Sequence, residues 1–288
     1  MPQSGVTHFF DESTGSLSYV VADLESNACA VIDPVLGFDS ISARTDSSIA
    51  DPIINFILAH GLTVQWILDT HVHADHVSAA AYLQEKLGGQ IGIGSRVTEV
   101  QHTFKALFNL NGSFKSDGHQ FQRLFSDGET FQIGNLSGSV IHTPGHTPAC
   151  VSYLINGQLF VGDTLFMPDL GTARCDFPGG SAATLYDSIQ TLYRLPDETP
   201  IYVCHDYPGE GRDQYTFQTT VLEQKTLNRH IREDTTQTAF VEVREARDKT
   251  LDLPTLMLPA VQLNIRGGRF PREEENGISY LKIPLNKM

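Results

Sequence analysis

Positively charged side chains are scarce in this chain of 288 residues. It contains 20 Lys and Arg residues against 34 Asp and Glu residues, which gives a formal net charge of −14 at pH 7. Such an excess of negative charge repels the phosphate backbone of nucleic acids unless a strong basic patch offsets it locally. We therefore expect no nucleic-acid partner.

Long apolar runs and a basic N-terminal segment are also missing. No stretch approaches the roughly 20 apolar residues that a membrane-spanning helix needs. The first basic residue is Arg44, so the N-terminal segment has neither the charged start of a secretory signal nor the arginines of an organelle transit peptide. These features predict a cytoplasmic protein without a membrane partner.

Cysteine is sparse as well. The four cysteines are scattered and lack the spacing of a disulfide framework (Cys29, Cys150, Cys175 and Cys204). They are interpreted as reduced thiols, as is usual in the cytosol. Cys175 and Cys204 in particular are expected to be small core residues without a catalytic role.

The most distinctive stretch present is Thr70-His71-Val72-His73-Ala74-Asp75-His76. Imidazole and carboxylate groups are ligands of divalent metal ions. An apolar segment at 64–68 precedes the motif, and a helix-favouring segment at 78–87 follows it and ends at a Gly-Gly pair. The motif is therefore predicted to lie on a loop between a strand and a helix, a common position for active sites. A surface loop with coincidental histidines is the alternative, and it does not account for so many ligand-type residues at this spacing.

The remaining patterns predict an α/β fold in which helices cover a sheet. Helical periodicity over residues 47–60 and 97–108 alternates with short apolar strands. From residue 121 onward short strands dominate, and Asn156-Gly157 favours a two-residue hairpin. Ser181 is a candidate cap for a helix that runs to about Leu195. A further helix is predicted from about Gln214 to His230.

Three further ligand-type residues follow apolar segments later in the chain. His146 stands in a Thr-Pro-Gly-His-Thr segment, Asp163 follows Gly162, and His205 follows the apolar segment 201–204. One such residue alone is weak evidence, because Pro-Gly-His and Gly-Asp usually mark turns. Together they are expected to converge with the histidine motif on one edge of a sheet. His142 has no motif position and is interpreted as a structural histidine.

In this order the residues resemble the signature of the metallo-β-lactamase superfamily, His-x-His-x-Asp-His followed by a later His, Asp and His. The resemblance covers roughly residues 6–207 and implies an αββα sandwich with a metal site at the edge between two sheets. It divides the chain into a core over residues 1–207 and a C-terminal helical extension and tail over residues 208–288, packed on the core.

The superfamily pattern also implies which residues hold metal ions. In its dinuclear members, the residues matching His71, His73 and His146 bind one ion. Those matching Asp75, His76 and His205 bind the second ion, and the residue matching Asp163 bridges the two.

Within the superfamily, the chain resembles persulfide dioxygenases. The shared segments are 143–150, 162–165 and 171–177, the last with the pattern Gly-x-x-Arg-x-Asp-Phe, together with 258–268, which is similar to a bacterial branch with an extended tail. This resemblance implies one Fe(II) ion per chain, held by His71, His146 and Asp163, a set that leaves one face of the ion open. The implied reaction converts glutathione persulfide, or a similar thiol persulfide, with O₂ and water into the thiol and sulfite, which detoxifies sulfide.

Two other functions remain open. His73, Asp75, His76 and His205 are all present; in persulfide dioxygenases such residues orient ligands and water through hydrogen bonds, but they could equally hold a second metal ion. A dinuclear zinc or iron hydroxyacylglutathione hydrolase (glyoxalase II) would use a bridging hydroxide to attack a thioester. A binding or sensor module is a further alternative, although decayed sites usually lose a ligand.

An acidic chain must supply local positive charge to bind the carboxylates of a glutathione species. Arg174, Arg247 and Arg266 are candidate substrate-binding residues, because arginine forms bidentate bonds with carboxylates. Tyr207 is a fourth candidate because it lies beside the predicted metal loop. A homodimer is left open.

Asp176 follows Arg174 by two residues on a glycine-rich loop. We predict that Arg174 orders this loop by pairing with Asp176, and a nearby acid such as Asp206 is the alternative partner. An exposed pair would contribute little to stability.

Overall fold

Two large β-sheets form the centre of the structure, a computed structural model that describes residues 3–110, 112–208 and 212–287. The strands are β1 (Ser4–Asp11), β2 (Ser16–Asp23), β3 (Ala28–Ile32), β4 (Val35–Asp39), β5 (Arg44–Asp46), β6 (Thr63–Leu68), β7 (Val77–Ser78), β8 (Gln90–Gly94), β9 (Arg123–Phe125), β10 (Thr130–Ile133), β11 (Leu136–His142), β12 (Val151–Ile155), β13 (Gln158–Phe160), β14 (Pro200–Tyr202) and β15 (Gln218–Thr220). The helices are α1 (Asp51–Ala59), α2 (Ala80–Leu87), α3 (Val97–Leu107), α4 (Ala182–Leu192), α5 (Val221–Leu227), α6 (Gln237–Asp248) and α7 (Met257–Asn264).

The first sheet has the order β1-β2-β3-β6-β8-β9. Within it, β3, β6, β8 and β9 run parallel to one another. Strand β2 is buried on both faces: Leu17 and Tyr19 belong to one apolar cluster, whereas Val20 and Ala22 belong to another. Burial on both faces explains why these strands are continuous apolar runs in the sequence. Because β3 and β6 are parallel neighbours, the segments that follow them emerge at the same edge of the sheet.

The second sheet has the order β10-β11-β12-β13-β14-β15. Strands β12 and β13 form a hairpin whose turn residues Asn156 and Gly157 have φ angles of 49° and 80°. Positive φ angles at both turn positions are typical of the type I′ turn, which matches the twist of the flanking strands. The predicted hairpin is therefore confirmed. A small third sheet has the order β5-β4-β7.

Helices cover the outer faces of the two large sheets. Side chains of α1, α2, α3 and α7 pack with the first sheet in one apolar cluster, and α4 packs with the second sheet in the other. The hydroxyl of Ser181 caps α4 by accepting from the backbone N–H of Thr184 at 3.2 Å, as predicted. This four-layer arrangement confirms the predicted αββα sandwich.

The helix predicted from Gln214 to His230 is wrong in its first part. The chain instead forms β15, which pairs with β14, and only then α5. Thr220 makes a capping box with Glu223, so the helix begins directly after the strand. The β-branched and aromatic residues at 215–220 suit a strand, and the free edge of β14 gives that strand a partner.

The described part of the C-terminal segment, residues 208–288, contributes β15 and the helices α5, α6 and α7. Phe240 of α6 is fully buried. The centroid of its ring lies 6.0 Å from that of Tyr186 of α4. Helix α7 supplies Val261 and Leu263 to the cluster under the first sheet. Among the described residues, no helix has the length and apolar character needed to cross a membrane.

Candidate metal centre

The histidine motif lies between β6 and β7 at the edge of the first sheet. The two-residue strand β7 separates it from α2, which begins at Ala80 and not at Ser78. His71, His73 and His76 are each no more than 1% exposed. Such burial of three imidazoles is incompatible with a polar surface loop.

Asp33, at the end of β3, anchors this loop, a role that the sequence analysis missed. Its carboxylate accepts from the backbone N–H of Thr70 at 2.7 Å and from the Thr70 hydroxyl at 2.9 Å, and it lies 3.0 Å from Nε2 of His73. In the sequence, Asp33 only marks the end of an apolar strand. The pairing of β3 with β6 brings it beside the motif, and that pairing is a tertiary feature.

His71, His146 and Asp163 form one group, and their ligand-type atoms lie within 4.8 Å of one another. Oδ2 of Asp163 is 3.9 Å from Nε2 of His71 and 3.7 Å from Nε2 of His146. Asp163 leaves β13 after Gly162, whose φ is 51°, and a Cβ atom at Gly162 would collide with Thr70. Glycine is therefore required where the Asp163 loop crosses the histidine loop.

A second group contains His73, Asp75, His76 and His205, again within 4.8 Å of one another. Oδ2 of Asp75 lies 3.0 Å from Nδ1 of His76 and 3.5 Å from Nε2 of His205. Oδ1 of Asp163 is 3.3 Å from the same nitrogen of His205, so Asp163 lies between the two groups. All seven residues that the sequence singled out as ligands or their neighbours thus meet at one place.

The inner nitrogen atoms of these histidines suit metal binding. Within the described part of the chain, Nε2 of His71, Nδ1 of His73 and Nε2 of His76 are buried and have no hydrogen-bond partner. Buried polar atoms normally have partners, so these orphaned atoms point to a ligand. Burial lowers the pKa of His71 and of His73 well below the usual value of histidine, which favours the neutral imidazole that binds metal ions.

Asp75 and His205 of the second group stabilise each other's charged forms. Burial alone would raise the pKa of Asp75, but His205 and His76 outweigh it and hold that pKa well below its usual value. Burial likewise acts to lower the pKa of His205, whereas the charges of Asp75 and Asp163 raise it. Asp75 and His205 therefore interact closely beside the buried ring nitrogens of His73 and His76 that have no hydrogen-bond partner in the described chain.

A cavity of about 880 Å³ opens onto both groups. Asp75, His146, Asp163 and His205 form its floor, and residues of the C-terminal segment form part of its wall. Tyr207 also lines the cavity and is 48% exposed. Its ring stacks on that of His205, with the two ring centroids 5.9 Å apart. A small molecule bound in this cavity would reach the metal-binding atoms and Tyr207 together.

Arg247 of α6 also lines the cavity. Its side chain is exposed, and among the described residues no ion pair or side-chain hydrogen bond involves it. The other two arginines in the wall are engaged: Arg174 with Asp176, and Arg244 with Asp248. Arg247 is thus the cavity arginine that is available to an anionic ligand within the described chain.

Arg174 pairs with Asp176, the partner that the sequence predicted. Its guanidinium donates to both carboxylate oxygens of Asp176 at 2.6 Å and to the carbonyl of Asp252 at 2.6 Å. The alternative partner, Asp206, is paired with Arg212. The carbonyl oxygen of Arg174 also accepts from Nδ1 of His146 at 2.8 Å, which leaves Nε2 of that ring facing Asp163.

Arg266, Cys175, Cys204 and His142 do not reach the cavity wall. The guanidinium of Arg266 lies 4.6 Å from the ring centroid of Phe114. Both cysteines are buried, and burial raises the pKa of their thiols, so neither is a ready nucleophile. Nε2 of His142 lies 3.2 Å from the carbonyl oxygen of Phe125, a backbone contact that is typical of a structural histidine.

Comparison with known proteins gives a match over most of the chain. The family model described as Metallo-beta-lactamase superfamily matches residues 13–205. The chain is 51% identical over 291 residues to a probable metallo-hydrolase of Burkholderia pseudomallei, covering 98% of this chain and 99% of that protein. A beta-lactamase hydrolase-like protein of Xylella fastidiosa is longer, and the chain spans 65% of its length.

Two other relatives have more specific names. Glyoxylase B2 of Dictyostelium discoideum is 49% identical over 278 residues, which cover 96% of this chain and 94% of the relative. Bovine mitochondrial persulfide dioxygenase ETHE1 is 31% identical over 222 residues, which cover 76% of this chain and 72% of the relative. Among solved structures, ETHE1 from Myxococcus xanthus superposes with a TM-score of 0.72 at 28% identity and covers 92% of this chain and 100% of its own.

Proposed function

The chain belongs to the metallo-beta-lactamase superfamily, and from this premise we propose that it is a sulfur dioxygenase that oxidises a thiol persulfide, such as glutathione persulfide. The observation that carries the proposal is the compact group of two imidazoles and one carboxylate formed by His71, His146 and Asp163. A facial set of two histidines and one carboxylate is typical of non-haem Fe(II) oxygenases. The relative named persulfide dioxygenase supports the same chemistry.

The residues present fit one Fe(II) ion. Nε2 of His71 is buried without a hydrogen-bond partner in the described chain, and Nε2 of His146 faces the Asp163 carboxylate because its Nδ1 donates to a backbone carbonyl. These three side chains would hold the ion, and two of them, His146 and Asp163, also line the cavity. A bound Fe(II) ion would supply the redox chemistry that lets O₂ react with sulfane sulfur. The balanced reaction is RSSH + O₂ + H₂O → RSH + sulfite, with two protons released.

The protein's own residues bind and orient the substrate. Arg247 would bind a carboxylate of the thiol carrier, since it is the cavity arginine without a described partner. Tyr207 at the rim would contact the same molecule near His205. Asp75 and His205 would hold water or the substrate sulfur by hydrogen bonds beside the iron ligands.

A dinuclear thioester hydrolase is the second candidate. The observation that favours it is the complete second group of His73, Asp75, His76 and His205, with Asp163 between the groups. The relatives named probable metallo-hydrolase and Glyoxylase B2 point in the same direction. Two ions held by these groups would supply the Lewis-acid and water-activating chemistry that thioester hydrolysis needs.

Metal analysis combined with oxygen uptake separates the two candidates. Protein purified without added metal should contain about one iron per chain and should consume O₂ when glutathione persulfide is added. Sulfite should appear in step with O₂ consumption. Two zinc ions per chain, with thioester hydrolysis and no iron-dependent oxygen uptake, would reject the dioxygenase and establish the hydrolase.

A further inference from the structure

One buried side chain of the C-terminal segment reaches the metal-binding loop. Asn264, the last residue of α7, is 1% exposed. Its Nδ2 donates to the carbonyl oxygens of His73 and His76, both at 2.8 Å. Its Oδ1 accepts from the backbone N–H of Ser78 at 2.8 Å. One amide therefore joins three backbone positions of the loop and of β7, 186 to 191 residues away in sequence.

The end of α7 is held firmly in this position. The carbonyl of Ile265 accepts from Nε2 of Gln101 at 2.9 Å. Gly268 has a φ of 78°, and a Cβ atom there would collide with the carbonyl oxygen of Ser78. Pro259 lies in the first turn of α7, where its missing N–H is tolerated. Asn264 is thus preorganised against the loop by its own helix and by the glycine turn that follows.

The bonds made by Asn264 act on the backbone of the loop that carries the proposed iron ligand His71 together with His73 and His76 of the second group. A buried carbonyl oxygen needs a hydrogen-bond partner, and Asn264 supplies one to both His73 and His76. Asp33 holds the same loop through separate contacts to Thr70 and His73. The loop is therefore held by two residues distant in sequence, and metal centres depend on such support because small shifts of a ligand weaken binding.

We propose that Asn264 is a positioning residue of the metal centre, and that the C-terminal segment completes a site whose ligands all lie within residues 13–205. Asn264 touches neither metal nor substrate; it fixes the direction in which His73 and His76 present their rings. The inference rests on the proposed metal centre but holds for either candidate reaction, because both need the same loop.

Two variants of Asn264 and one control test this role. Asn264→Asp keeps the shape and the acceptor for Ser78 but removes both N–H donors, whereas Asn264→Leu removes all three bonds. Gln262 of α7 is the control: it is 2% exposed, and its amide bonds the backbones of Leu258 and Lys282 and not the metal loop. Co(II) affinity by chelator competition, the Co(II) visible absorption spectrum and the melting temperature are measured for each protein.

Both Asn264 variants should bind Co(II) about 10- to 100-fold more weakly than the wild type and show a changed absorption spectrum. Gln262→Leu should lower the melting temperature and leave the Co(II) affinity and spectrum unchanged. A folded Asn264→Asp protein with wild-type affinity and spectrum would overturn the proposal. An equal loss of affinity in Gln262→Leu would also overturn it, since any loosening of α7 would then suffice.

If Asn264→Leu does not fold, Asn264→Asp decides the question, because it retains the acceptor for Ser78.

Oxygen uptake of the wild type is recorded separately. A wild type that consumes no O₂ with persulfide, combined with weak Co(II) binding in the Asn264 variants, rejects the proposed dioxygenase and supports the positioning role.

Discussion

At the scale of single residues, a partner on one ring nitrogen of a histidine leaves the other ring nitrogen available to a metal ion. Nδ1 of His146 donates to the carbonyl of Arg174, Nε2 of His73 faces Asp33, and Nδ1 of His76 faces Asp75. In each ring the other nitrogen is left toward the centre. Partners of this kind fix the tautomer and the orientation of metal ligands, so they belong to the site as much as the ligands do.

His71→Ala and His205→Ala should separate the two groups. His71→Ala removes one of the three proposed iron ligands and should abolish iron binding. His205→Ala removes a hydrogen-bonding neighbour and should retain iron while turnover falls by ~10- to 100-fold. Iron content per chain and oxygen uptake with glutathione persulfide measure the two effects.

His142→Ala is the matched control, because His142 contacts the backbone of Phe125 outside the cavity wall. It should keep both iron and activity. If His205→Ala loses as much metal as His71→Ala, the centre is dinuclear and the single-iron model fails.

Arg247→Ala should weaken substrate binding without changing the chemistry. Loss of a charge-assisted hydrogen bond to a substrate carboxylate should raise KM by roughly 10- to 100-fold and leave kcat nearly unchanged. Arg232→Ala is the control, since Arg232 is another exposed arginine and does not line the cavity. Unchanged KM in Arg247→Ala, or an equal rise in Arg232→Ala, would remove Arg247 from the substrate site.

At the scale of elements, the loop over residues 171–180 links the C-terminal segment to His146, a proposed metal ligand. The Arg174 side chain joins Asp176 to the carbonyl of Asp252, and the Arg174 backbone carbonyl holds His146. The guanidinium is mostly buried, with 17% of the side chain exposed, whereas the Asp176 side chain is 40% exposed. This asymmetry predicts that the arginine is the more sensitive member of the pair.

Arg174→Trp should lower the melting temperature and the iron content together, because it breaks three hydrogen bonds and displaces the acceptor of His146. We expect a loss of stability of about 1.5–3 kcal/mol, the range for a hydrogen bond to a charged group. Asp176→Asn should be milder, since it keeps one acceptor on the more exposed side. Differential scanning calorimetry and iron analysis give the comparison. Normal melting and normal iron with only a raised KM would show that Arg174 binds the substrate directly.

At the scale of the whole molecule, His230 makes stability depend on pH. It is half-buried beside Arg244, and its Nδ1 accepts from the backbone N–H of Thr172 at 3.1 Å. Burial, with a further contribution from Arg244, lowers the pKa of His230 to about 4. The unfolded chain therefore binds a proton at His230 in a pH range where the folded chain does not.

The stability contributed by neutral His230 should be fully present above the ordinary histidine pKa of about 6.5 and lost as the pH falls toward 4. His230→Asn removes the titrating group and can still accept from Thr172. Its free energy of unfolding, measured with urea at pH 7 and pH 5, should fall less on acidification than that of the wild type. Exposed His119→Asn is the control and should follow the wild type; a wild-type decrease in His230→Asn would contradict the assignment.

Local sequence was sufficient for much of the fold. The apolar runs of β2, β3 and β6, the Asn156-Gly157 turn and the Ser181 cap are encoded by neighbouring residues, and the structure has all of them. The segment at 214–220 was misjudged because its strand forms only where β14 offers a free edge. Whether β14 has a free edge depends on the assembly of the whole sheet, and the residues of the segment by themselves do not indicate it.

The sequence by itself indicated an α/β fold, and the resemblance of its motifs to the metallo-β-lactamase superfamily implied the αββα sandwich and which ligand-type residues meet; these residues follow strands of both large sheets. Only the tertiary structure decided that Asp33 and Asn264 clamp the histidine loop, and that Arg247 lines the cavity whereas Arg266 packs on Phe114. These contacts join segments far apart in the chain, and their geometry depends on how the layers pack. Periodicity and motif spacing describe neighbours along the chain, so they carry no record of that packing.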